Sequence, residues 1–241
     1  SKSLNLLEKD HCLNIMPLFH IHGLIAIIAS SMKSGASVCA SNGFNALKFL
    51  ELAKSEKITW YSGVPTMHQT IMLRAEKNLE LAKNLNLRLV RSSSASLPPA
   101  VFEKLNKVFN CPVIEAYGMT EATHQMTSNP LPPKKQKAGF VGIPAGPEVA
   151  IMNDNNQIMK NSEIGEICIK GNNVTSGYEN NPEANENSFS NGWFRTGDQG
   201  VFDKDGYLKI SGRLKEIINK GGEKISPLEV DNVLMDHPSI E

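Results

Sequence analysis

Between residues 12 and 116 the chain alternates short apolar runs with longer stretches of helical spacing, and no other feature restricts its fold so strongly. The runs 12–16, 36–40, 58–61, 87–90 and 113–116 have the length and composition of strands. Segments 22–32, 46–57, 65–76 and 98–109 separate them and read as helices. Within 46–57, Leu47, Leu50 and Ala53 share one face, and a proline opens 98–109 where a first helical turn tolerates it. Parallel neighbours need a crossover of a dozen or more residues, usually helical. The expected fold class is therefore α/β, a mostly parallel sheet with flanking helices.

From about Pro130 the texture changes. Pro130-Leu131-Pro132-Pro133-Lys134-Lys135 reads as a stiff polar connector. Beyond it lie strand-like runs at 148–152 and 165–170. A hairpin joins 200–202 to 207–210 through Asp203-Lys204-Asp205-Gly206. A third piece follows near Arg213, with two short strands around Gly221-Gly222 and a helix at 227–235. The organisation expected is an α/β part of a larger domain at 1–130 and a β-rich subdomain, a distorted barrel, at 131–212. At 213–241 we expect a hinge and the start of a small α+β domain too short to form its own core.

Lys plus Arg equals Asp plus Glu at 25 each, so bulk charge supports no nucleic-acid partner, and anions must be held by local donors. Cys12, Cys39, Cys111 and Cys168 form no CxxC pair, which argues against structural zinc or a disulfide framework. The longest apolar run, 24–29, is too short for a membrane span, and the first residues lack a signal-peptide layout. A cytoplasmic protein is the expectation. Pro238-Ser239-Ile240-Glu241 is no peroxisomal import signal, although a longer parent chain could carry one. Oligomeric state is not legible.

The most informative segment is Glu115-Ala116-Tyr117-Gly118-Met119-Thr120-Glu121-Ala122, a strand entering a tight turn that presents a hydroxyl and a carboxylate. Ligands of open α/β sheets gather at the carboxyl ends of strands. There Tyr117 can stack on a base, Thr120 can bond a phosphate oxygen and Glu121 can hold Mg²⁺. On spacing alone a helix start with Thr120 as N-cap is an equal alternative.

Tyr117-Gly118-Met119-Thr120-Glu121 resembles a signature of the adenylate-forming superfamily of acyl-CoA synthetases, luciferases and peptide-synthetase adenylation domains. Met16-Pro17-Leu18-Phe19-His20-Ile21-His22-Gly23 resembles its histidine loop, and Trp193-Phe194-Arg195-Thr196-Gly197-Asp198 its Thr-Gly-Asp motif. Gly212-Arg213-Leu214-Lys215-Glu216 resembles its hinge, with Gly221-Gly222-Glu223-Lys224-Ile225-Ser226-Pro227 following in order. The resemblance implies a two-step ligase using ATP, Mg²⁺ and coenzyme A: a carboxylate is first adenylated, then the thiol displaces AMP. It implies that Tyr117 stacks on adenine, Thr120 meets the α-phosphate and Glu121 ligates Mg²⁺. By the same resemblance, Ser94, Ala95 and Ser96, with Glu115, Ala116, Gly118 and Met119, line the nucleotide pocket. Asp198 and Arg213 reach the ribose, Lys215 is the pivot between half-reactions, and Gly221, Gly222 and Glu223 border the coenzyme A path.

For the acid, two histidines in the first loop, the Arg91-Ser92-Ser93-Ser94-Ala95-Ser96 stretch and His124, read as one helical turn past Thr120, are costly to desolvate around an apolar tail. They suit a small diacid. Residues 94–97, 119–132 and 221–227 together resemble the oxalyl-CoA synthetases of plants and yeast, which implies oxalate held by Ser94 and His124, with His20 or His22 closing the pocket. The family's phosphate loop and its adenylation lysine have no counterpart here, so this piece alone is expected to be inactive or weak. Two readings stay open beside it: a non-catalytic nucleotide-binding remnant, and a ligase for another short or medium acyl chain. A carrier-loading domain would need an aspartate near residues 19–22, and none is there.

Overall fold

The computed structural model describes residues 1–235 and 237. The end of the 213–241 piece, with Pro238-Ser239-Ile240-Glu241, lies outside the described residues. Five strands form the parallel part of the first sheet: β1 (His11–Asn14), β2 (Ser37–Ala40), β3 (Trp60–Gly63), β4 (Leu89–Ser92) and β5 (Val113–Tyr117). They run in the order β2-β1-β3-β4-β5, and the short antiparallel strands β6 (Thr127–Ser128) and β7 (Ile143–Pro144) extend the β5 edge.

Register explains why β1, β3, β4 and β5 are so apolar. Leu13, Tyr61, Val90 and Val113 form one row. They pack against helices α2 (Ala46–Ser55), α3 (Pro65–Glu76) and α5 (Pro99–Phe109). Cys12, Trp60, Leu89 and Ile114 belong to the core of the other face, with Leu4, Met16 and Ile27. A sheet covered on both sides needs apolar groups on both, as the α/β expectation supposes.

Several local expectations are corrected. The strands expected at 58–61 and 87–90 lie further along, because parallel pairing continues through the buried polar groups Ser62, Arg91 and Ser92. Apolarity alone cannot register such residues. Leu47 is 66% exposed; Phe49, Leu50 and Ala53 form the inner stripe, and Leu47 lies in the first turn of α2, where the N-cap Asn45 side chain accepts from the Leu47 and Lys48 amides. The segment 22–32 is a π-helix over His22–Ala29 that tightens to α1 (Ser30–Lys33); π geometry is rare and concentrates at functional sites. Helices α4 (Leu79–Lys83) and α6 (Pro182–Ser188) were not expected from the sequence, being too short to show a period.

The β-rich part holds β8 (Glu148–Met152), β9 (Gly165–Lys170), β10 (Phe189–Ser190), β11 (Trp193–Phe202) and β12 (Leu208–Arg213), all antiparallel, in the order β10-β11-β9-β8 with β12 paired to residues 198–202 of β11. The β11–β12 hairpin turns where Asp203 Oδ1 accepts from the amides of Asp205 and Tyr207. Its core joins Tyr117 and Met126 from before the Pro-rich connector to Ile151, Ile167, Phe194 and Leu208 beyond it. Reciprocal bonds, Val141 N to Leu208 O at 2.9 Å and Leu208 N to Gly142 O at 2.7 Å, fasten the hairpin to the first sheet. The last piece is a small hairpin, β13 (Ile218–Lys220) with β14 (Glu223–Ile225), followed by α7 (Pro227–Met235). No helix among the described residues is long and apolar enough to cross a membrane.

Candidate functional site

Strands β4 and β5 end side by side, and the chain leaving each of them borders one cavity of about 340 Å³. Ser94, Ala95 and Ser96 follow β4; Ala116 and Tyr117 end β5, and Gly118 and Met119 follow it. The opposite wall comes from the β11–β12 hairpin through Asp198, Ile210, Gly212 and Arg213. Val141 adds an apolar surface, while Glu216 and Leu228 approach from the last piece. A cavity with apolar walls at Ala116, Met119, Val141 and Ile210 and a carboxylate–guanidinium pair beside them suits a base joined to a polyhydroxylated ring.

Asp198 is 5% exposed and sits directly across from Arg213 in the β11–β12 register. Its Oδ1 lies 3.0 Å from Arg213 Nε, and its Oδ2 accepts a short hydrogen bond from the Tyr117 hydroxyl. Burial, and then the neighbouring Asp198 charge, push the Tyr117 phenol well above its ordinary range, so it stays a donor. Each carboxylate oxygen still has a second lone pair for a ligand hydroxyl.

After β5 the chain makes a single 3₁₀ turn, Thr120–Ala122, and then two left-handed residues, Thr123 (φ 51°) and His124 (φ 80°). The turn is preceded by Met119 and has no side-chain cap, so Thr120 is not an N-cap. His124 is likewise not one helical turn past Thr120. The left-handed pair folds it under the loop, 3% exposed, with its ring centroid 5.2 Å from that of His22. Thr120 is exposed, and Glu121 Oε1 accepts from Tyr178 Oη at 2.9 Å. Among the described residues no three His, Cys, Asp or Glu side chains converge as a metal cage. A lone, tethered carboxylate such as Glu121 nevertheless fits Mg²⁺, which keeps several waters and takes most other ligands from phosphates.

His22 is fully buried. Its Nδ1 lies 3.0 Å from Ser94 Oγ, its Nε2 2.6 Å from Ser62 Oγ, and Arg91 Nη1 stands 3.4 Å from that Nε2. Burial and then Arg91 hold the basicity of both His22 and His124 low, His124 at about 3, so both rings are neutral near pH 7. His20 is exposed, its Nδ1 accepting from the His22 amide. Ser94 itself has φ 74°, a left-handed geometry that costs a non-glycine residue about 1–3 kcal/mol and tends to survive at functional sites.

Other nominated residues lie elsewhere. Glu115 does not line the cavity: it is 1% exposed, and its Oε1 accepts from Leu97 N at 2.9 Å beneath the serine loop. Burial pushes its carboxyl from 4.5 up to about 8. A folded-state value above the unfolded one gives stability that is complete below about pH 4.5 and is lost as pH rises through about 8. Glu115→Gln keeps an acceptor without the titration. The wild-type unfolding free energy is therefore expected to fall relative to this variant across that window, and parallel urea-denaturation curves at pH 5 and pH 8.5 would count against it. Lys215, Gly221, Gly222 and Glu223 are exposed and do not border the nucleotide-sized cavity; the two glycines form the tip of the β13–β14 hairpin, with φ 62° and 96°. The sequence did not mark Tyr178, and it offered Arg91 only as one donor of the polar 91–96 stretch, not as a buried strand residue. An arginine inside the otherwise strand-like Leu89-Val90-Arg91-Ser92 was the available signal for the second; nothing local marks Tyr178.

The model of AMP-binding enzymes matches residues 2–179. Oxalate–CoA ligase of Arabidopsis thaliana is 51% identical over 98% of this chain and 46% of its own length. Oxalate–CoA ligase of Saccharomyces cerevisiae is 46% identical over 100% of this chain and 44% of its own. Among solved structures, O-succinylbenzoate coenzyme A synthetase of Bacillus subtilis, in complex with ATP and magnesium ion, superposes with a TM-score of 0.85 at 33% identity, covering 99% of this chain and 49% of that one. The chain spans a little under half the length of the curated relatives it matches.

Proposed function

The chain belongs to the AMP-binding enzyme family, and from that premise we propose that it serves an ATP-dependent acid–CoA ligase whose acid is oxalate. One observation supports this most directly. Ser94 borders the cavity on one side and bonds to the buried His22 on the other, so the cavity meets a buried polar cluster at a single residue.

In this reading the apolar surfaces of Ala116, Met119, Val141 and Ile210 hold the base beside Tyr117, while Asp198 accepts from the ribose hydroxyls and Arg213 braces it. Thr120 meets the α-phosphate. Glu121, oriented by Tyr178, would hold Mg²⁺, which when bound offsets phosphate charge. A carboxylate oxygen attacks the α-phosphorus as the bond to pyrophosphate breaks; the thiol sulfur of coenzyme A then attacks the acyl carbon and AMP leaves. Ser94 and His124 face the second carboxylate, with His22 behind them. Lys215 marks the pivot, and the 221–223 turn borders the thiol's approach. An aliphatic tail in that place would leave the buried donors unpaired, at a cost of about 1–3 kcal/mol each.

Calorimetric titration of the chain with AMP, with and without oxalate and with hexanoate as control, tests the reading. Linkage requires that an acid bound beside AMP changes AMP affinity by the factor by which AMP changes its own. We expect oxalate, and not hexanoate, to tighten AMP at least about fivefold. Equal affinity with all three would remove oxalate from the proposal, and tightening by hexanoate alone would replace it with a longer acid.

A further inference from the structure

Arg91 is 1% exposed, and among the described residues no carboxylate pairs with it. Its Nη1 donates to Ser62 Oγ at 3.2 Å, and its Nη2 has no hydrogen-bond partner. A buried guanidinium is costly without a counter-charge and is seldom left so without a reason. It stands in register between Ser62 and Ile114, on the sheet face that also packs Ile27 of the π-helix beginning at His22.

The donors and acceptors around it can be ordered. Arginine only donates, so Ser62 Oγ must accept from Nη1. If His22 Nε2 carried a proton, that N–H would face the Arg91 N–H groups at 3.4 Å, donor against donor. Nε2 is therefore the acceptor, and Ser62 donates its hydroxyl to it across 2.6 Å. The single proton of the neutral ring then sits on Nδ1 and is given to Ser94 Oγ at 3.0 Å. With its oxygen occupied as an acceptor on that side, the Ser94 hydroxyl hydrogen is free to be given to a ligand in the cavity that Ser94 borders.

Taken with the oxalate reading above, on which this rests, we propose that Arg91 is the positioning residue for acid selectivity: it polarises a one-way chain, Arg91 to Ser62 to His22 to Ser94, that ends as a hydrogen-bond donor to the second carboxylate of a small diacid. Each bond in such a chain strengthens the next. The bound dianion would also supply the counter-charge that Arg91 lacks. An acid ending in methyl groups gains nothing from the chain and leaves its last donor unmet.

The test has two arms. Nitrogen-15 NMR of histidine-labelled chain reads the His22 tautomer with no ligand present. Protonated Nδ1 is expected, and protonated Nε2 overturns the proposal. The second arm compares wild-type with Arg91→Met, which replaces the guanidinium by an apolar side chain that still fills part of its volume. Oxalate affinity in the presence of AMP is expected to fall at least about tenfold, with AMP affinity alone unchanged within about twofold. Oxalate affinity that does not move, or that falls together with AMP affinity, overturns it. Should Arg91→Met fail to fold, Arg91→Lys replaces it; lysine keeps the charge but not the planar fork, so weaker oxalate binding supports the proposal and wild-type binding sinks it. A wild-type chain whose AMP affinity ignores oxalate defeats the oxalate reading alone, because the tautomer is still read without acid.

Discussion

Gly118→Ala is expected to lose more than about 3 kcal/mol of folding stability, and AMP binding with it. A Cβ at residue 118 would lie 1.3 Å from the carbonyl oxygen of His124 and 2.4 Å from its carbon. Both are backbone atoms and cannot rotate aside. The loop is held there by its own bonds, His124 N to Met119 O at 3.1 Å and Met126 N to Tyr117 O at 2.9 Å, so relief requires unlacing the segment that carries Thr120 and Glu121. Gly43→Ala is the control. A Cβ there meets nothing within 4 Å, and only the left-handed backbone at φ 95° opposes it, a cost of about 1 kcal/mol. Urea denaturation of the two variants measures the difference; a Gly118→Ala midpoint equal to that of Gly43→Ala would show that the loop can move.

Asp198→Ala is expected to weaken AMP binding about a hundredfold or more. Two charge-assisted hydrogen bonds to the ribose account for roughly 3 kcal/mol. The loss also strands the Tyr117 hydroxyl, whose partner is Asp198. The ion pair with Arg213 is a smaller matter, because the Arg213 side chain is 58% exposed and solvent screens it. Arg213→Ala should therefore alter stability little while reducing AMP affinity by a smaller factor than Asp198→Ala does. Asp198→Asn, which keeps one acceptor, should fall between. Calorimetry on the three variants ranks them, and AMP affinity within threefold of wild-type in Asp198→Ala would remove Asp198 from the ribose.

Much of the site was legible because its chemistry lies in contiguous motifs. Residues 115–122 announced a strand-to-turn site, and the structure places Ala116, Tyr117, Gly118 and Met119 on the cavity wall. Asp198 and the 212–213 pair face them across it, with Asp198 and Arg213 as strand partners that the motifs alone could not have paired. Glu115 was misplaced by its neighbours: alternation along β5 turns it away from Ala116 and towards the Leu97 amide. His124 was misplaced because two consecutive left-handed residues are invisible to helical spacing.

The sequence by itself determined the α/β class, the order of the strands' sequence segments and the contiguous motifs that border the candidate cavity. Those properties follow from local periodicity and from short runs whose residues act together. Only the tertiary structure decided that Tyr117 would donate to Asp198 81 residues away, that Tyr178 would hold Glu121, and that His22, Ser62, Arg91, Ser94 and His124 would meet. The reason is physical. Such contacts are set by which parallel strands lie side by side and by how sharply each loop turns at its end, and neither is encoded in the spacing of residues along one segment.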